Sequence, residues 1–175
     1  MNNMPNFDDE FRFLDYFSGL VDGEGCFTIT KHGNKGKFHV RFSIRLRADD
    51  IEILNICKNI MRIGNIYMSK AEKNNLSNNP FADYIISDVA ECMKLIDVLD
   101  VHSLRAKKKL DYLIWRDAVM YRAKNMGRQG VAHSQGYIIK MESYREQLSK
   151  VKKYDSSVLI ELSNLRDDSR QSSLF

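Results

Sequence analysis

Cysteine and proline are scarce in this chain: its 175 residues hold three cysteines, two prolines and nine glycines. Cys26, Cys57 and Cys92 stand apart with no C-x-x-C spacing. That excludes a disulfide framework and reads as reduced core thiols of an intracellular protein. So little proline and glycine excludes collagen-like and low-complexity chains. No apolar run approaches the roughly 18 residues of a membrane helix, so nothing is expected to span a bilayer and no membrane partner is expected. The acidic start MNNMPNFDDEF lacks an apolar h-region, so the chain is not expected to be secreted.

What is present is one domain's worth of material, 43% apolar and 29% charged. Residues 1–153 are read as that single domain, and the Ser- and Asp-rich stretch 154–175 as a tail or short helix. The net charge is only +4, from 27 basic and 23 acidic residues, but its distribution is uneven. Lys31, Lys35, Lys37, Arg41, Arg45 and Arg47 follow one another with no acid among them. Between His102 and Arg128, eight basic residues face only Asp111 and Asp117. Such segments in a nearly balanced chain point to a polyanion-binding face.

Periodicity orders the elements. Asp8 to Val21 reads as a helix, capped by Asp8 or Asp9, with Phe13, Tyr16, Phe17 and Leu20 on one side and Phe11, Leu14 and Val21 on a second. After it the period becomes two: Phe27 and Ile29 alternate with Cys26, Thr28 and Thr30, and HGNKG supplies a turn. In KFHVRFSIRLR, residues 37 to 47, Phe38, Val40, Phe42, Ile44 and Leu46 alternate with polar or basic residues throughout. One face is core, and the other is acid-free and suited to phosphate contact. A helix follows, capped by Asp49 or Asp50 with Ile51, Leu54, Ile56 and Ile60 inward, then strands at 63–69 and 81–86. Helices are read at 88–97, 103–126 and 137–150. The result is an α+β fold with a four-stranded antiparallel sheet and helices on one face.

The first helix ends in FSGLVDGEG. Gly19 and Gly23 lie four apart, a spacing that lets two helix backbones approach closely. Asp22 and Glu24 stand at the negative pole of the helix, so two such helices side by side would crowd carboxylates together and call for a divalent cation. His102 and His133 have no metal-ligand spacing and read as structural or surface residues, and Trp115 reads as core.

FSGLVDGEG closely resembles the LAGLIDADG motif of the homing endonucleases. Gly19, Leu20, Asp22 and Gly25 match letter for letter, while Glu24 replaces the usual aspartate, keeping the carboxylate on a longer arm. IRLRADDIEIL followed by IGNIY resembles the family's second strand, second helix and third strand, and SLRAKKKLDYLIW its late basic helix entry. The resemblance implies the αββαββα fold, with the sheet as a saddle for DNA. The motif occurs once, which implies a homodimer packed through Gly19 and Gly23 on a pseudo-palindromic double-stranded site. It further implies that Glu24 of each subunit, with the Gly23 carbonyl, binds Mg²⁺, with Mn²⁺ as a substitute and Ca²⁺ supporting binding only. Lys107 aligns with the family's active-site lysine, Lys108 and Lys109 being adjacent candidates. Alignment of the water-orienting position falls on Leu46 or Arg47, of which Arg47 has the chemistry. Base reading would fall to Thr28, Thr30, His32, Lys37, His39, Arg41, Ser43, Arg45, Asn65, Tyr67, Ser69 and Asp83. An intron maturase binding intron RNA without cutting DNA is the alternative, and a transcription regulator on a retired endonuclease fold a lesser one. The compartment is expected to be the one that holds the encoding DNA: bacterial cytoplasm, mitochondrion or plastid.

Overall fold

The computed structural model of the chain describes residues 7–33, 37–69, 80–125 and 133–153. The tail from 154, the loop over 70–79 and most of the turn and loop at 34–36 and 126–132 lie outside the described residues. Helix α1 (Phe7–Glu24) leads into β1 (Gly25–His32) and β2 (Lys37–Arg47). A single 3-10 turn at Ala48–Asp50 then opens α2 (Ile51–Met61). Strands β3 (Asn65–Met68) and β4 (Phe81–Ile86) come next, followed by α3 (Val89–Val101), α4 (Lys108–Lys124) and α5 (Gln135–Lys152). The strands form one antiparallel sheet in the order β1-β2-β4-β3. No helix among the described residues is long and apolar enough to cross a membrane.

The alternation in β2 explains the layers. Phe38, Val40, Phe42 and Ile44 are all buried, and their strand neighbours Phe27, Ile29, Ala82, Tyr84 and Ile86 bury the same side. Helices α1, α4 and α5 pack against β1, and α2 covers β3 and β4. Phe27 is the hub, its ring 5.2 Å from Phe42, 5.1 Å from Trp115 and 5.6 Å from Tyr112. Burying each such aromatic contributes about 1.5–3 kcal/mol, so the core that fixes the sheet also fixes the face turned away from it.

Several expectations are corrected. Asp8 and Asp9 lie inside α1 and do not cap it. Tyr16 is 53% exposed, because it shares the flank of α1 that carries Gly19 and Gly23. Neither Asp49 nor Asp50 caps α2 through its side chain, since Asp49 is engaged by Arg47. On α2, Cys57 is buried and Ile56 exposed, one position from the expected stripe. His32 is the last residue of β1, paired with Lys37, not part of the turn. Strand β3 is shorter than 63–69. Helix α4 starts five residues late because Leu104 is an anchor in the core and the Arg105 N–H donates to Asp22 Oδ2 at 2.7 Å, holding 103–107 out of the helix. Cys57 and Cys92 are core thiols, pushed up to about 12 by burial, but Cys26 is exposed.

Candidate nucleic-acid interface and active site

The register puts one residue of every pair on the outer face: Cys26 opposite Ser43, Thr28 opposite Arg41, Thr30 opposite His39. Across β2 the sequence continues with Ser43 opposite Ile85 and Arg45 opposite Asp83, and across β4 with Asn65 opposite Ile85 and Tyr67 opposite Asp83. Thr28, Thr30, His32, His39, Arg41, Ser43 and Tyr67 line one groove on this face together with Ile85 and Ser87. The last two were missed by the sequence reading, although β4 alternates and Asp83 already marked the outward parity.

The face is not uniform. Along β2 it carries no acid, but β4 delivers Asp83 beside Arg45, whose Nε and Nη2 donate to the two carboxylate oxygens at 2.8 Å each. The Arg45 guanidinium also lies 3.9 Å from the centre of the Phe81 ring. Asp83 is buried, so its role is to hold Arg45. Arg47 makes a similar fork on Asp49, at 3.0 and 2.6 Å, with both side chains exposed. Ser69 follows β3 and accepts the Phe81 N–H at 2.8 Å, so its hydroxyl closes the strand end. Thr28 donates to the Arg41 carbonyl at 3.3 Å. The rings of His32 and His39 meet edge to face at 4.5 Å. Burial, and then the charges of His32, Arg122 and Lys37, hold the His39 imidazole below its ordinary value. Lys37 is exposed at the end of β2.

Glu24 is exposed at the last position of α1. Its direction is set by Gly25, where a Cβ would lie 2.5 Å from the Val21 carbonyl oxygen and 2.8 Å from Val21 Cγ1. Only glycine permits the helix to turn into β1 at this spot. Glu24 lines a groove with Arg45, Arg47, Asp50 and Phe81. Two residues apart on a helix is about 200° of rotation, so Asp22 faces the other way. It lines a second groove with Cys26, Lys107, Lys108, Asp111 and Lys152. Glu24 and Lys107 therefore flank opposite sides of one helix end. Both grooves reach the outer sheet face, one through Arg45 and the other through Cys26. Lys109 is separated from its neighbours and faces Asp15, Gly19 and His102. His102 is buried with Nδ1 2.8 Å from Asp15 Oδ1, and His133 stacks on Tyr137 at 4.1 Å. Both are structural.

Gly19 and Gly23 are exposed, and a Cβ at either would meet nothing within 4 Å. With Arg12 and Tyr16 they form an exposed flank of α1. Among the described residues no three His, Cys, Asp or Glu side chains gather to enclose a metal ion. What one chain offers is an open, hard-oxygen site, made of one exposed carboxylate and helix-end carbonyls without intrahelical partners. That fits a cation such as Mg²⁺ or Ca²⁺, which takes oxygen ligands and keeps water, and does not fit a closed zinc centre.

The chain is 28% identical over 114 residues to a probable intron-encoded endonuclease of Schizosaccharomyces pombe, a match covering 63% of this chain and 28% of that protein. The chain thus spans little more than a quarter of that relative's length. In fold it is similar to an archaeal intron-encoded homing endonuclease complexed with DNA, with TM-score 0.67, 19% identity, and 83% of this chain and 87% of the other covered. It is also similar to the meganuclease I-SmaMI bound to an uncleaved DNA target in the presence of calcium ions, with TM-score 0.63, 20% identity, and 81% and 46% covered. A model of the LAGLIDADG endonuclease family matches residues 17–119, from Phe17 of α1 to Val119 of α4. The chain belongs to the LAGLIDADG endonuclease family.

Proposed function

We propose that this chain is a site-specific double-strand DNA endonuclease that acts as a homodimer, with Mg²⁺, on a pseudo-palindromic target, in whichever compartment holds that DNA. The observation that carries this is the outer sheet face. Its polar and basic side chains stand in register and run directly into an exposed carboxylate at the end of α1. At roughly 3.3 Å per residue, the 11 residues of β2 extend about 35 Å, close to one turn of B-DNA. Two copies related by a two-fold axis would follow two successive turns.

The bare flank of α1 supports the dimer, since its glycines leave room for a second backbone and have no use inside one chain. So does chain length: this chain covers 87% of the archaeal enzyme but 46% of I-SmaMI, the proportions expected of one unit and half of a two-unit chain.

In this reading Glu24, with the Gly23 carbonyl, holds Mg²⁺ under the scissile phosphate. Bound there, the ion supplies Lewis-acid polarisation of the phosphate, an activated water and charge relief for the leaving 3′ oxygen. Mn²⁺ substitutes, and Ca²⁺ supports binding alone. Arg45 enters already oriented by Asp83 and Phe81, able to address guanine or a phosphate without reorganising. Arg47 stands beside Glu24 and orients the attacking water once it exchanges Asp49 for the phosphate's surroundings. Lys107 approaches from the opposite flank and offsets charge growing on the phosphate.

The test is cleavage of a plasmid carrying the uninterrupted form of the sequence that flanks the encoding gene, in Mg²⁺ and then in Ca²⁺. Double-strand cutting in Mg²⁺ and intact binding in Ca²⁺ are expected. No cutting, with tight binding to the transcript of the interrupted gene, would replace this reading with the maturase. Gly19→Leu should give monomers by sedimentation that no longer bind the full site, and a monomer that still binds it would remove the dimer.

A further inference from the structure

One buried charge has no part in the chemistry above. Asp111, in the first turn of α4, is 6% exposed, and its Oδ1 is buried with no hydrogen-bond partner among the described residues. Burying a carboxylate without partners costs several kcal/mol, and a neutral isostere of the same shape is usually tolerated. The first turn of a helix returns part of that cost through its dipole, by about 0.3–1 kcal/mol, too little by itself to retain the charge. The surroundings supply the remainder. The groove that Asp111 lines is walled by Lys107, Lys108 and Lys152, with Asp22 and Cys26 opposite. Burial raises the carboxyl's affinity for a proton, and Lys152, Lys108 and Lys107 act against that.

Two clasps hold this cluster at the end of α1. Asp22 takes the Arg105 N–H, tying the start of α4 to α1, and Lys152 Nζ donates to the Phe27 carbonyl, tying the end of α5 to β1. Lys152 is also 3.7 Å from Cys26 Sγ. The carboxylate is thus the fixed point, and the lysine heads are the mobile parts around it.

The geometry points to Asp111 as a positioning residue: its buried carboxylate gathers Lys107 at the mouth of the groove, on the side of α1 opposite Glu24, and so presents that ammonium to the scissile phosphate. Lys108 and Lys152 share the same anchor and keep the local charge positive when Lys107 turns outward. This rests on the reading of Lys107 given above. A free lysine samples many rotamers, and one held within about an ångström of its task saves up to about a hundredfold in rate.

The experiment uses the full chain as wild type, Lys107→Ala, Asp111→Asn and the double variant, on a duplex selected by cleavage from a randomised pool. Single-turnover rate in Mg²⁺, affinity in Ca²⁺ and Tm are measured for each. Asp111→Asn should cut up to about a hundredfold more slowly, bind with unchanged affinity, and keep or raise its Tm. In the Lys107→Ala background the same change should add nothing. If Asp111→Asn cuts like wild type while Lys107→Ala is slow, or if the double variant loses the product of the two single losses, the inference is overturned and the role of Lys107 stands. If Lys107→Ala itself cuts like wild type, the role of Lys107 falls and the inference with it. A lowered Tm with an unchanged rate would make Asp111 a purely structural acid. If Asp111→Asn does not fold, Asp111→Ser is read by the same criteria.

Discussion

Where α1 joins the sheet, Arg45 is held by Asp83 and Arg47 by Asp49, whereas toward the hairpin Arg41, His39 and Lys37 have no ion-pair partner among the described residues. Both regions belong to one strand with one alternation, so the sequence of β2 does not distinguish them. Their partners do. Exposed ion pairs are worth only about 0–1 kcal/mol each in stability, so the forks at the α1 end matter for direction more than for folding. Cations beside a cleavage site need fixed geometry, because reorganising them would be charged to the barrier. Cations toward the hairpin need only to follow a backbone whose path varies with sequence, and looseness there is tolerated.

The sharpest break between the two regions is at Glu24. Glu24→Gln should lower cleavage by about a thousandfold or more while binding to the same duplex in Ca²⁺ persists or tightens. Full cutting by this variant would end the assignment. Next is Asp83→Asn, which frees Arg45 without removing it. About 1–3 kcal/mol of discrimination should disappear at a single base position, read by competition among singly substituted duplexes. An unaltered preference would show that the fork is ornamental. Arg41→Ala, at the other end, should weaken binding to all sequences alike and lower the slope of log K against log salt by about one. A loss confined to one base would mean that Arg41 reads rather than follows. The smallest effect concerns His39. Its imidazole is held below 6.5 by burial and by the neighbouring cations. Below that pH the unfolded chain takes up a proton that the folded one resists, so acidification costs stability until the folded imidazole is protonated too. Between pH 7.5 and 5.5, wild type should lose more Tm than His39→Gln, and equal losses would assign the effect to other groups.

How much of this was legible beforehand differs by element. The bounds of β2 and β4 follow from alternation and match the structure at 37–47 and 81–86. The motif likewise located Glu24, Gly19 and Gly23 on one helix. Pairings were not legible, because they depend on register between strands far apart in sequence. Nothing in RFSIRLR announces that Asp83, 38 residues from Arg45, will arrive opposite it. The stripe of α2 slipped from Cys57 to Ile56 because both are apolar and a short helix tolerates either phase. The late start of α4 depends on a side chain in α1, and no local signal in SLRAKKK carries that information.

The close contact at Gly25 has a consequence for descent. Every single-base change in a glycine codon that alters the residue introduces a Cβ, and here a Cβ would fall 2.5 Å from the Val21 oxygen. Position 25 therefore has no tolerated neighbour one step away in sequence space. Gly19 and Gly23 can drift to alanine without a clash inside their own subunit. A gene copy freed from selection breaks first where the helix turns into the strand. Among relatives, glycine at this point marks a chain still held to its fold, even where the carboxylate beside it has been lost.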